Sequence, residues 1–223
     1  MAELYAVRHA QAAFGTDDYD RLTELGHRQS RWLGEYFAER GMHFDRVITG
    51  TLRRHRETLA GISEALAGLP ETLALEGLNE YQADLLLAAH LGEGGLARID
   101  RSADRRAHFR ILREALYAWA DGALQTDAHM PFEAFAAGVR EVLVAARAPG
   151  AERVLIVSSG GPISTLIGTV LGLAPRTVVE LNLQARNTGV TEFRAGARNI
   201  HCVSFNNVPH LERPERRDAI TYS

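Results

Sequence analysis

An arginine and a histidine stand side by side at Arg8-His9, directly after the short apolar run Leu4-Tyr5-Ala6-Val7. A planar guanidinium fork matches the oxygens of a phosphate dianion, and a neutral imidazole nitrogen, with an unperturbed pKa of about 6.5, is a competent nucleophile near neutral pH. Alone, an Arg-His dipeptide is common and reads as a surface arginine beside a strand-end histidine. A second candidate is Val157-Ser158-Ser159-Gly160-Gly161-Pro162, whose glycine amides would offer an anion site at a helix start. Ser159 as a nucleophile ranks last, because the glycine that opens a Gly-x-Ser-x-Gly elbow is missing.

These groups need elements to hold them. Leu4 to Val7 reads as a buried strand that delivers Arg8 and His9 to a sheet edge, where open α/β sheets place their ligands. Thr23-Glu24-Leu25-Gly26 opens a helix with Trp32, Leu33, Tyr36 and Phe37 at helical spacing and Gly41 as its stop. Arg46 to Thr49 is a second strand, and a helix from Leu52 to Leu66 closes at Gly68-Leu69-Pro70. This β-α-β-α order predicts an α/β fold, a three-layer α/β/α sandwich around a mostly parallel sheet. Across residues 81–149 strands vanish, and two helical stretches, Arg105 to Ala123 and Phe132 to Arg147, predict a helical cap inserted in a single domain spanning 1–223. Arg153 to Ser158 is the most strand-like run, and Gly160-Gly161-Pro162 opens a helix to Leu171. Val178 to Leu183, Val190 to Phe193 and Ile200 to Phe205 read as three further strands, and the charged tail after Leu211 as a solvated extension.

Composition narrows the chemistry. The chain has 223 residues, with 25 basic against 28 acidic side chains and a net charge of −3. Near-neutral charge gives no general pull toward nucleic acid. Every basic residue is arginine, so Walker-type phosphate loops, Schiff bases and lysine general bases are excluded. The single cysteine, Cys202, excludes an intrachain disulfide and a CxxC site, and the nine histidines show no HxH or HExxH pairing, so no metal is expected. The start has no basic leader with an apolar core, and no apolar run approaches spanning length. A cytoplasmic protein without a membrane or nucleic-acid partner is the expectation. Nothing here sets an oligomeric state, and a dimer stays open.

Further motifs follow in order: Tyr19-Asp20-x-Leu22-Thr23-x-x-Gly26-x-x-Gln29, Thr49-x-x-Leu52-x-Arg54-x-x-x-Thr58, Leu78-Asn79-Glu80 and Phe205-Asn206-x-x-x-His210-Leu211. Together with Arg8-His9 they resemble the histidine phosphatase superfamily, the phosphoglycerate mutase-like fold, over nearly the whole chain, and most of all a bacterial branch of it. The resemblance implies that His9 becomes phosphorylated, that Arg8 and Arg54 clamp the phosphoryl group, and that Glu80 protonates the leaving oxygen. It implies phosphomonoester hydrolysis on a small phosphorylated substrate, with no cofactor. The set is coherent: two arginines neutralise the phosphoryl group, histidine attacks in line, and a carboxyl group can acquire the raised pKa an acid needs.

Two departures stand out. Ala10 replaces the usual glycine, which alanine tolerates at negative φ. Ser159 occupies the position of the family's second histidine. Losing one preorganised donor costs about two to three orders of magnitude in rate, unless the Ser159 hydroxyl takes its place beside the Gly160 and Gly161 amides. The rival readings are therefore a weak or inactive phosphate-ligand binder and phosphoglycerate mutase-type transfer. Arg53, His55 and Arg56 flank Arg54 and read as a solvated basic face, with His55 the one candidate to turn inward. Arg101, Arg105, Arg106, His108, Arg110 and Arg113 read as a charged exterior from which one arginine could reach a second anionic group. Trp32 and Trp119 fit packing positions.

Overall fold

Apolar runs too short for helices, interleaved with amphipathic ones, force a sheet covered on both faces. The computed structural model describes residues 1–16, 18–92, 95, 105–124 and 129–222, with backbone alone for 105–107. In chain order the elements are β1 (Ala2–Arg8), α1 (Glu24–Glu39), β2 (Arg46–Thr49), α2 (Arg53–Ala65), β3 (Thr72–Ala74), α3 (Ala83–Leu91), α4 (Arg105–Ala120), α5 (Phe132–Ala146), β4 (Arg153–Ser158), α6 (Gly160–Leu171), α7 (Pro175–Leu183), β5 (Val190–Ala195) and β6 (Ile200–Asn207). The strands form one mixed sheet in the order β3-β2-β4-β1-β5-β6. The first four of that order run parallel, while β5 and β6 are antiparallel to their neighbours.

Alternation along β4 divides the core. Leu155 and Val157 join Val7 and Val47 against Leu33, Phe37 and Ile62 of α1 and α2. Val154 and Ile156 join Leu4, Ala6 and Ile48 against Val139, Val142, Ile163 and Leu166 of α5 and α6. All four β4 residues are fully buried, each contributing about 1.5–3 kcal/mol. This central strand lies beside β1 in the middle of the sheet, and both end at one edge. Thr23 caps α1 by accepting the Gly26 N–H at 3.0 Å, and the chain leaves the helix at Gly41 with φ +59°.

Three readings of the sequence are corrected. Val178 to Leu183, expected as a strand for its valines, belongs to helix α7: Pro175 sits at its start, and Val178 and Val179 are buried in the core alongside α6. Packing overrides propensity there. Helix α3 was not anticipated, because Leu85, Leu86, Leu87, Ala88 and Ala89 are apolar on every side and show no helical period. The tail after Leu211 is not a solvated extension. Its short 3-10 segments, Pro209–Leu211 and Pro214–Ala219, pack Val208, Leu211, Ala219 and Ile220 on Leu25 and Trp32, and Arg216 stacks 4.8 Å over the Trp32 ring while pairing with Glu35 at 3.0 Å. Apolar residues spaced between the charges dock the segment. No described helix is long and apolar enough to cross a membrane.

Candidate active site

The carboxyl ends of the parallel strands bring the chosen residues together. The β1–β4 register sets Arg8 opposite Ser158, so His9 and Ser159 leave adjacent strand ends. His9 is 3% exposed. Its backbone N–H donates to the Ser158 carbonyl at 2.7 Å, and its own carbonyl accepts from Asn187 Nδ2 at 3.1 Å. The ring Nδ1 lies 2.8 Å from the Ala10 carbonyl. A carbonyl only accepts, so Nδ1 holds the proton and Nε2 keeps its lone pair. Burial first, then the Arg8 and Arg54 charges and His55, push the His9 pKa well below its ordinary value, which keeps this lone pair available at neutral pH.

Both arginines are anchored by one end. Arg8 Nη1 donates to the carbonyls of Ala185 and, at 2.6 Å, Tyr222, so the docked tail holds it. Arg54, 6% exposed in the first turn of α2, donates from Nη1 to Asp20 Oδ1 at 2.8 Å. Asp20 also accepts the Arg53 backbone N–H at 2.7 Å, supplying from another loop the cap that Leu52 cannot. Thr58 ties this helix to the nucleophile's strand, accepting the Ala10 N–H at 3.0 Å and donating to the Arg54 carbonyl at 2.7 Å. On each arginine the Nε–H is buried without a partner among the described residues. An unpaired buried donor costs about 1–3 kcal/mol, more when charged, and an anion between the two would recover it.

Glu80 lies under the start of α6, where both carboxyl oxygens are 3.2 Å from the Gly161 N–H. A Cβ on Gly161 would collide with Glu80 Oε1, and one on Gly160 with Asn182 Oδ1. The glycine pair is what lets these polar groups approach the helix end. Burial raises the Glu80 pKa against the opposing pull of Arg54, the Gly161 amide and Arg8. Its neighbour Tyr81 accepts from Asn182 Nδ2 at 2.7 Å and packs 5.3 Å from the Trp119 ring, and so fixes the backbone that presents the carboxyl group.

Ser159 is fully buried, and its Oγ lies 2.7 Å from Nε2 of His55, also fully buried. The His55 ring is 5.9 Å from that of His9. Burial, Arg54 and Arg56 hold the His55 pKa down to about 3. Of the residues flanking Arg54, Arg53 and Arg56 face solvent as expected and His55 turns inward. At the mouth, Phe14 and Tyr19 meet edge to face at 5.9 Å, each about two-fifths exposed. His108 lies 6.2 Å from Phe14 and is buried, so it leaves the charged exterior to which Arg110 and Arg113 belong. Arg101 and the side chains of Arg105 and Arg106 fall outside the described residues. Sequence reasoning missed Asp20, Asn182 and the Ala185 and Tyr222 carbonyls. Only Asp20 carried a signal, as part of the Tyr19-Asp20 motif. Among the described residues no group of His, Cys, Asp and Glu has the make-up of a metal site.

Comparison with known proteins bears on the family and the fold. A 2,3-bisphosphoglycerate-dependent phosphoglycerate mutase from Methylorubrum populi is 29% identical over 166 residues, 73% of this chain and 73% of that protein. A mutant phosphoserine phosphatase from Entamoeba histolytica, solved with phosphoserine, superposes with a TM-score of 0.64 at 20% identity, covering 95% of this chain and 100% of its own. A mycobacterial glucosyl-3-phosphoglycerate phosphatase with inorganic phosphate gives 0.65 at 21%, covering 94% and 99%. At these identities the solved structures speak for the fold. The family model of the histidine phosphatase superfamily (branch 1) matches residues 4–208, and the chain belongs to that superfamily.

Proposed function

We propose that the chain hydrolyses phosphomonoesters through a phosphohistidine at His9. The observation that carries this reading is the His9 ring itself, with Nδ1 committed to the Ala10 carbonyl and Nε2 unprotonated in the field of two arginines that each keep a buried N–H without a partner among the described residues. In the first step the Nε2 lone pair forms a bond to phosphorus as the bond to the ester oxygen breaks. Glu80, whose pKa burial raises, gives its proton to that oxygen. In the second step the Glu80 carboxylate takes a proton from water, whose oxygen attacks phosphorus and returns the electron pair to His9, releasing inorganic phosphate. Arg8 and Arg54 neutralise the oxygens throughout, joined by Ser159 and the Gly160 amide. No step calls on a metal. We read residues 81–149 as a cap that shapes the leaving-group side, together with Phe14 and Tyr19.

The relatives point to small substrates that carry a second polar group: two solved neighbours hold phosphoserine and phosphoglyceric acid. The 29% identical mutase supports a second reading, in which the phosphoryl group returns to the product instead of passing to water. Incubation with phosphoglycerate separates the two by phosphate release against isomerisation. The test of the main reading is phosphate release from a panel of phosphomonoesters, with and without chelator. We expect release that persists in chelator and falls at least about 1,000-fold in His9→Ala. Equal release by both proteins would end the reading, and a chelator-sensitive rate would end its metal-free form.

A further inference from the structure

Ser159 stands at the position that should cap α6, with extended φ −106° and ψ 172°, yet its side chain makes no capping bond. A serine there ordinarily accepts an N–H from the helix's first turn. Here Oγ turns instead to His55 Nε2, 2.7 Å away, on a ring that comes from a different helix. The direction of that bond follows from the other ring nitrogen. His55 Nδ1 is buried against Gly50 and has no partner among the described residues. A proton there would be a stranded donor, and a bare acceptor is the less costly of the two to leave unmatched. The proton therefore sits on Nε2 and is donated to Ser159 Oγ. This leaves the hydroxyl's own proton uncommitted, since that group makes no second bond among the described residues.

Resting on the phosphohistidine reading, we propose that Ser159 is a catalytic donor to the transferring phosphoryl group and that His55 is the positioning residue that aims it. Ser159 leaves the strand end next to His9, and the His55 ring bonded to it is 5.9 Å from the His9 ring, which puts the hydroxyl proton beside the space that a phosphoryl group on His9 would fill. Because His55 is neutral across the working range, the relay works through hydrogen bonding. The imidazole that the family supplies at position 159 is thus supplied from α2, one bond further back. Replacing Ser159 alone by histidine would drive two rings into the same volume.

A double-mutant cycle on kcat, with KM and melting temperature followed in parallel, tests the pair. Ser159→Ala and His55→Ala are each expected to lower kcat about 100-fold with little change in KM, and the double variant no further than either single one. Ser159→His alone should be no better than Ser159→Ala, while His55→Ala with Ser159→His recovers most of the loss. Vanadate, which copies the five-coordinate phosphoryl group, is titrated into the same variants and should bind more weakly by a similar factor, so the pair is judged even where turnover is absent. Additive losses, unchanged vanadate affinity, or a drop confined to melting temperature would overturn the proposal. A His9→Ala variant as active as the wild type would instead overturn the underlying phosphohistidine reading, which the cycle leaves separate.

Discussion

Two buried histidines each meet a hydroxyl group, and only one of the pairs faces the candidate site. His55 Nε2 lies 2.7 Å from Ser159 Oγ, and His210 Nε2 lies 2.8 Å from Thr188 Oγ1. Burial holds both rings to a pKa of about 3. The difference lies in the hydroxyl proton. Thr188 donates its proton to the Asn187 carbonyl at 2.7 Å, which closes the chain of bonds and fastens the tail. Ser159 has no such acceptor among the described residues, so in the proposal its proton remains for a ligand. Burial and a depressed pKa do not by themselves mark chemistry; an unfinished hydrogen-bond chain beside a nucleophile does.

The widest expected separation between the pairs is in turnover. Thr188→Val strands the His210 N–H and should cost about 1–3 kcal/mol of stability with turnover retained, in contrast to the loss expected at Ser159. Denaturant midpoints beside kcat check it, and a Thr188→Val variant that loses turnover while keeping its midpoint would erase the contrast. The site also has its own pH signature. In the proposed reaction protonated Glu80 is the acid of the first step, so with its pKa raised by burial, kcat/KM should fall as pH rises through that value. Glu80→Gln should flatten this limb and lower kcat about 100- to 10,000-fold on alkyl phosphates, and less on nitrophenyl phosphate, whose leaving group needs no proton. An equal loss on both esters would contradict the acid role.

The effect that leaves turnover untouched belongs to the tail. His210 is neutral when folded and titrates near its ordinary 6.5 when unfolded, so its stability contribution is fully present above that value and is lost as pH falls toward about 3. The loss is about 1.4 kcal/mol per pH unit within that window. His55 follows the same rule. His210→Gln should therefore make stability less steep in acid without moving the pH–rate profile, as melting curves between pH 7 and 4.5 would show. A slope unchanged by the substitution would mean that this ring is not a source of the acid sensitivity.

The sequence made the sheet's centre plain and its periphery obscure. Arg46 to Thr49, Arg153 to Ser158 and Gly160 to Leu171 lie where the residues place them, because buried parallel strands and a Gly-Gly-Pro helix start leave few alternatives. The α7 segment misled because Val178 and Val179 favour strands until packing beside α6 decides otherwise. Arg8 and His9 could be named from the strand end that delivers them and Ser159 from the Gly-Gly-Pro helix start, whereas Arg54 and Glu80 could be named only through the motifs that resemble the superfamily. His55 could be picked from a run of arginines as the one side chain to turn inward, but its value lies in a contact between residues 104 positions apart. The tail's grip on Arg8 through Tyr222 spans 214 positions, and no local pattern announces a backbone carbonyl.

The central claim is that His9 carries the phosphoryl group. Rapid quench of the protein with a phosphorus-labelled substrate, under alkaline conditions that preserve phosphohistidine, followed by peptide mapping, tests it directly. The account predicts acid-labile label on the peptide that contains His9, formed as fast as product appears and absent from His9→Ala. Turnover without any label on that peptide, undiminished in His9→Ala, would contradict it.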